Sequence, residues 1–211
     1  MSISKTSQNN FSSLNIQDLV DTFGLKTVDN LAFLSESVSE LQKTKIAEIC
    51  QVSTQEIDTW NEQELIIKHI SLILNTAKME GPSYNTFAER SFCGKVDEIE
   101  LGGIVDFLVA RGRFQPREPY FFLQEYKKNT LGPNSDPLAQ LLGEMLVAQE
   151  LNQNLQMYGA YIVGRSWYFV VLHERDYNVL KPFDSTNFEE LIEIISKLNW
   201  IKQYVEEKLQ N

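Results

Sequence analysis

The chain has 211 residues, and 43% of them are hydrophobic, which is enough to bury the core of one large domain. This composition excludes disorder over the full length, and two cysteines are too few for a disulfide scaffold. The net charge of −10 argues by itself against an anionic partner such as nucleic acid. We expect a cytoplasmic protein, because the polar start lacks the apolar core of a secretion signal and no apolar run is long enough for a membrane span.

The first third of the chain has the patterns of helices. Residues 15–20 predict the start of a short helix, and residues 31–50 place apolar side chains at spacings of three to five. The sequence Ser53-Thr54-Gln55-Glu56 matches a capping box, which predicts a further helix that runs as far as Met79.

The middle of the chain changes to strand-forming residues, and a glycine pair, Gly102-Gly103, interrupts the second predicted strand. Asp136-Pro137 is a favourable helix start, and Thr186 begins a second capping box. The predicted elements are, in order, strands over 89–96, 99–110 and 120–127, a helix over 136–152, a hairpin over 157–172 and a C-terminal helix.

Two predicted strands carry charged side chains in apolar surroundings: Asp106 in the second, and Glu125 and Lys127 at the end of the third. Residues two apart in a strand share a face, so Glu125 and Lys127 are expected side by side. If Asp106 lies on the adjacent strand, its carboxylate can meet Glu125, and the pair can bind Mg²⁺ or Mn²⁺. A neighbouring lysine can orient a water molecule or stabilise charge on a phosphate, so the set suits hydrolysis of a phosphodiester.

Simpler explanations exist for the same three residues. Asp106 could be a charge that protects a sheet edge from aggregation. Glu125 and Lys127 could form a solvated strand end or an exposed ion pair, which is worth about 0–1 kcal/mol.

The order of these features resembles the PD-(D/E)XK, or restriction-endonuclease-like, nuclease superfamily. Asp106 matches the motif aspartate, with Val105 in place of the preceding proline, and Glu125 and Lys127 match the (D/E)-x-K pair. The resemblance covers about residues 60–172 and implies an α/β fold with an αβββαβ core, in which helices flank a mixed central sheet. The N-terminal helices and the C-terminal helix would be additions to this core.

We therefore expect two regions. The first is helical and spans residues 1–59, and its polar first thirteen residues are candidates for disorder. The second, over residues 60–211, is the nuclease-like domain with the C-terminal helix.

The resemblance also implies supporting residues on the flanking helices. Glu64, or else Glu62, would face the metal from the helix before the first strand, although Glu64 could equally close a capping box that starts at Asn61. Gln140 would act from the helix after the Glu-x-Lys strand, with Glu144 one turn further on the same face, although Gln140 could simply be a good helix former. Weaker candidates nearby are Asn129 and Ser135.

Phosphate binding requires basic residues, and these concentrate near the motif. Residues 106–128 have five basic and three acidic side chains, whereas residues 1–64 have four and ten. The resemblance places the connection between the motif strands near the same rim as the strand end, although a solvated hairpin loop would have the same composition. The candidate contacts to nucleic acid are Arg111, Arg113, Arg117 and Lys128.

We therefore expect a nuclease that hydrolyses DNA with Mg²⁺ or Mn²⁺, and whose acidic chain binds DNA weakly without help. The alternative is an inactive module of the same fold, with acidic helices that bind a protein partner or a second copy. A third hypothesis is a hydrolase of a small phosphate compound, which would need a closed pocket.

Overall fold

The computed structural model describes residues 3–4, 8–127 and 135–210. The helices are α1 (Ile16–Phe23), α2 (Glu40–Glu56), α3 (Glu62–Leu65), α4 (Ser71–Ala77), α5 (Pro137–Asn152) and α6 (Phe188–Gln210), and a π-helical turn, Ile66–Ile70, joins α3 to α4. The strands are β1 (Asn9–Asn10), β2 (Lys26–Thr27), β3 (Tyr84–Val96), β4 (Ile99–Arg111), β5 (Arg117–Lys127), β6 (Gln156–Val163), β7 (Ser166–His173), β8 (Asp176–Val179) and β9 (Phe183–Asp184).

One mixed sheet organises the molecule. Strands β3, β4 and β5 form an antiparallel meander, and α5 crosses over so that β6 lies parallel to β5. Strands β6, β7 and β8 continue the sheet antiparallel, and the short strands β1 and β2 add parallel pairs to β4 and β8. The prediction of an α/β fold in which helices flank a mixed sheet is confirmed. In the described residues no helix is both long and apolar enough to cross a lipid bilayer.

Each face of the sheet is covered by its own hydrophobic core. On one face Ile46 and Ile49 of α2 pack in the same cluster as Ile194 and Ile201 of α6. On the other face Leu19 of α1 belongs to the cluster built around α5. Residues 1–59 therefore contribute to both cores that the rest of the chain forms.

The glycine pair does not interrupt β4, contrary to the expectation from sequence. The strand runs unbroken from Ile99 to Arg111, because the glycines make room for the N-terminal segment that lies on it. A Cβ atom at Gly102 would collide with the side chain of Gln8, and one at Gly103 would lie 3.0 Å from the Phe11 ring. Phe11 is only 1% exposed, so this segment is part of the fold.

The first long helix begins later than the apolar spacing predicts. It starts at Glu40, where Ser39 and Gln42 form a capping box. Ser53 is not a cap, because its hydroxyl lies inside α2 and is hydrogen-bonded to the His69 ring. Helix α2 instead continues to Glu56, and a turn of 3-10 helix, Ile57–Thr59, separates it from α3.

The predicted cap of the C-terminal helix is also displaced by one residue. Asn187 Oδ1 accepts hydrogen bonds from the backbone N–H groups of Glu189 and Glu190. The hydroxyl of Thr186 is already used, because it donates to Asp184. Asp136 caps α5 as predicted, since its carboxylate accepts from the N–H of Ala139.

Candidate active site

Asp106 lies in β4 beside the end of β5. Its neighbour Phe107 pairs with Gln124, and its own Oδ2 accepts a hydrogen bond of 2.8 Å from the backbone N–H of Tyr126. The carboxylate therefore takes the place of a strand-to-strand hydrogen bond. This position directs Asp106 toward Glu125, as the sequence predicts for adjacent strands.

Glu125 is fully buried between a cation and an amide. The ammonium of Lys127 donates to its Oε1, and Nε2 of Gln140 donates to its Oε2 at 2.6 Å. Burial and the nearby charge of Asp106 raise the pKa of Glu125 to about 8, although Lys127 acts in the opposite direction. Glu125 and Lys127 thus share one face of β5, as the spacing predicts.

Lys127 is held in its charged form by the carboxylates around it. Burial lowers the pKa of Lys127, but Glu125, Asp106 and Glu62 raise it by more, so the net shift is upward. A lysine that keeps its proton can stabilise negative charge or orient water, but it is a poor proton acceptor.

Helix α5 brings Gln140 and Glu144 to the same place. Both are buried, and Gln140 Nε2 lies 3.4 Å from Glu144 Oε1, while Glu144 Oε2 has no hydrogen-bond partner among the described residues. Burial, together with the charges of Glu125 and Asp106, raises the pKa of Glu144 well above its ordinary value. Three carboxyl groups of the described residues therefore lie around the ammonium of Lys127, and either protonation of Glu125 and Glu144 or a further cation would relieve their mutual repulsion.

Glu64 is occupied as a helix cap. Its Oε2 accepts from the N–H of Asn61 at 3.1 Å, and its Oε1 accepts from Lys68 at 3.1 Å. These contacts, first the Asn61 N–H and then Lys68, lower the pKa of Glu64. They support the capping interpretation and correct the expectation that Glu64 faces the metal, because Glu62 is the residue that lines a cavity with Asp106.

That cavity has a volume of about 750 Å³ and lies between the α3–α4 segment and strands β3, β4 and β5. Asp106, Phe107 and Tyr126 line its strand side. Its helical wall is mainly apolar and includes Ile66, Ile70 and Leu74. Its charged lining residues are Glu62, Lys78, Glu80, Glu89 and Asp106. The cavity, hereafter the cleft, gives a ligand access to Asp106.

Glu89 is a site residue that sequence reasoning missed. Its two chain neighbours pair with the two neighbours of Asp106, so Glu89 stands opposite Asp106 on β3. Its φ of 50° lies in the left-handed region, which is unfavourable for a glutamate within a strand. The signal available in the sequence was only that a carboxylate begins the strand predicted over 89–96.

The arginines lie at the other end of the hairpin. Arg111, Arg113 and Arg117 are exposed around the β4–β5 turn, whereas the site lies where β5 ends. At about 3.4 Å per residue, Arg111 is about 17 Å along its strand from Asp106, and Arg117 is about 34 Å from Lys127. The expectation that this loop shares a rim with the strand end is therefore wrong.

The remaining candidates are quickly placed. Lys128 and Asn129 lie outside the described residues, and Ser135 directly precedes the cap of α5.

The oxygen donors of the site suit a divalent cation, but their number is small. Asp106 and Glu125 offer hard oxygen donors, and Glu144 Oε2 is a buried acceptor that finds no partner in the described part of the chain. The described residues, however, contain no group of three or more His, Cys, Asp or Glu side chains arranged to hold a metal ion. A cation at this place would thus have two protein ligands, with water or substrate oxygens as the others, an arrangement typical of Mg²⁺.

Comparison of the sequence with protein-family models gives no match, and comparison with curated proteins gives none either. The functional interpretation therefore depends on the geometry of the site.

Proposed function

We propose that this protein is a metal-dependent nuclease of the PD-(D/E)XK superfamily that hydrolyses phosphodiester bonds in DNA. The observation that carries the proposal is the contact set at the ends of β4 and β5. Asp106 lies beside buried Glu125, and Lys127 and Gln140 hold the two oxygens of Glu125. The order of β3, β4, β5, α5 and β6, with β6 parallel to β5, supports the restriction-endonuclease-like core.

Each side chain has a separate role in this reaction. Asp106 and Glu125 would hold Mg²⁺ or Mn²⁺, which stabilises the charge that develops on the attacked phosphate and lowers the pKa of bound water. Gln140 fixes the orientation of Glu125, since its amide holds the second oxygen. Lys127, which stays protonated, orients the attacking water and stabilises negative charge on the phosphate.

Two variants at the strand ends test the proposal. Asp106→Asn and Lys127→Gln should each lower the rate of Mg²⁺- or Mn²⁺-dependent DNA cleavage by about 100-fold or more, because each removes a charge that acts on the transition state. The measurement is cleavage of labelled single-stranded and duplex DNA, with urea unfolding to confirm that each variant is folded.

Glu62 and Glu64, two residues apart in α3, supply a matched control. Glu64→Gln should retain cleavage, because its carboxylate caps a helix. Glu62→Gln changes the same charge within the cleft and should lower the rate. If Asp106→Asn cleaves DNA as fast as the unsubstituted protein, the site assignment is wrong.

The second candidate is an inactive binding module of the same fold. Its supporting observation is that Lys127 already pairs with Glu125, so the carboxylate has a cation without any metal. Calorimetric titration with Mn²⁺ separates the two, because the nuclease should bind it and lose binding in Asp106→Asn, whereas the module should show no binding.

A further inference from the structure

A second cavity lies next to the cleft, where α2, α4 and α6 meet. Its volume is about 360 Å³, and three lysines line it, Lys45, Lys78 and Lys202, against a single acidic residue, Glu36. We refer to it as the lysine pocket. Its excess of basic side chains is unusual in a chain of net charge −10, because most surfaces of such a protein repel anions.

The charge of the lysine pocket is not balanced within its described lining, since three lysines stand against one carboxylate, Glu36. Within residues 3–4, 8–127 and 135–210 no ion pair involves Lys45, Lys78 or Lys202, and Lys45 and Lys202 are partly buried. Other lysines do have acidic partners, as in the pairs Lys43–Glu40, Lys68–Glu64 and Lys197–Glu193. Solvated lysines on a surface need no partner, but three that line one concave site favour an anion between them.

The wall of the lysine pocket is held in place across three helices. Gln42 Nε2 donates to the carbonyl of Thr76 at 3.1 Å and to Asn199 Oδ1 at 2.9 Å. Asn199 Nδ2 in turn donates to the carbonyl of Ser37 at 2.9 Å. The 17-residue helix α2 also begins here, and its N-terminal end carries partial positive charge. The pocket therefore combines a fixed wall with an excess of basic side chains, three lysines against one glutamate.

Lys78 connects the lysine pocket to the cleft. It lines both cavities, and it ends α4 with φ 55° and ψ 63°. This left-handed conformation is usually adopted by glycine or asparagine at the end of a helix, so lysine carries a conformational cost there. A lysine also suits the negative end of a helix dipole, but that interaction does not require the left-handed position. One ligand could thus contact both cavities at Lys78.

We propose that the lysine pocket binds a phosphate group of the nucleic-acid strand whose scissile phosphodiester lies in the cleft. The inference rests on the proposed function for the identity of the ligand. Ammonium groups recognise phosphate oxygens by charge-assisted hydrogen bonds and carry no sequence information. Binding here would hold a strand against an otherwise acidic protein.

The test measures binding without cleavage. A labelled 20-nucleotide single strand of DNA is titrated in EDTA with the unsubstituted protein and, separately, with each of three variants, Lys45→Gln, Lys78→Gln and Lys202→Gln. Fluorescence anisotropy gives the dissociation constant of each. Each lost phosphate contact should weaken binding about fivefold at 0.1 M salt and lower the salt-dependence slope by about 0.7. Lys26→Gln makes the same charge change at β2, on the far edge of the sheet, and should bind as the unsubstituted protein does.

Inorganic phosphate provides a second arm that separates two sources of the same chemistry. Phosphate, compared with chloride at equal ionic strength, should raise the melting temperature of the unsubstituted protein and not of Lys78→Gln. If phosphate stabilises the protein while all three variants keep full affinity for the strand, the pocket serves a free phosphate compound and the proposal is wrong. It is equally wrong if Lys26→Gln loses as much affinity as the pocket variants.

Failure of this inference is distinguishable from failure of the proposed function. If the lysine variants lose strand binding and neither they nor the unsubstituted protein cleaves DNA in Mn²⁺, the phosphate-binding role of the pocket is supported and the nuclease proposal is wrong. If cleavage depends on Asp106 but the lysine variants bind the strand as tightly as the unsubstituted protein, the nuclease proposal is supported and the proposed role of the lysine pocket is wrong.

Discussion

Lowering the pH from 7.5 to 5.5 should remove stability that one buried histidine contributes to this protein. His69 lies in the π-helical turn between α3 and α4 and is fully buried. Its Nδ1 is 2.7 Å from the hydroxyl of Ser53, and its Nε2 is 2.7 Å from the hydroxyl of Ser185. Burial lowers the pKa of His69 to about 4, although the charge of Asp184 acts in the opposite direction.

The sign and size of the effect follow from that value. In the unfolded chain a histidine has a pKa of about 6.5, so the unfolded state takes up a proton at a higher pH than the folded state does. The stability associated with neutral His69 is therefore lost as the pH falls from about 6.5 to about 4. Since each pH unit is worth about 1.4 kcal/mol, the total is about 3 kcal/mol, of which about 1.4 kcal/mol is lost by pH 5.5.

Urea unfolding of the unsubstituted protein and of His69→Gln, at pH 7.5, 6.5 and 5.5, isolates this contribution. Glutamine offers a donor and an acceptor to the two serines but does not titrate, so the other titrating groups cancel in the difference. Between pH 7.5 and 5.5 the unsubstituted protein should lose about 1.4 kcal/mol more than the variant. The range stops above the isoelectric point of about 4.8 to keep the protein soluble. Parallel stability curves for the two proteins would refute the reasoning.

Two further substitutions probe the site and the packing of the N-terminal region. Glu144→Met should raise the free energy of unfolding by about 1–3 kcal/mol without added metal, because it removes a buried carboxyl oxygen with no partner in residues 8–127 and 135–210. A lower urea midpoint would contradict this. Ile46→Ala should lower it by about 2–5 kcal/mol within a single unfolding transition, because Ile46 is fully buried in the cluster that includes α6. Separate transitions for residues 1–59 and the rest of the chain, seen by fluorescence and circular dichroism, would show that the core is not shared.

Several local elements could be read from the sequence because their signals are local. Asp136 before Pro137 predicts the start of α5, since a side-chain cap and a fixed φ depend on adjacent residues only. The alternating spacing of Glu125 and Lys127 likewise predicts their shared face. The prediction of a helix cap at Ser53 was wrong, although it also came from a local pattern. A serine with a glutamate three residues later matches a capping box whether or not its hydroxyl is hydrogen-bonded to a distant histidine.

The sequence by itself determined the α/β class and the residue types of the candidate site, because hydrophobic period and charged interruptions of strands are properties of short segments. Only the tertiary structure decided which charges meet. It placed Glu89 opposite Asp106, assigned Glu64 to a helix cap and separated the arginines from the site by the length of a hairpin. It also brought Lys45, Lys78 and Lys202 from three helices to one pocket, because contacts between distant segments depend on strand register and helix packing rather than on spacing along the chain.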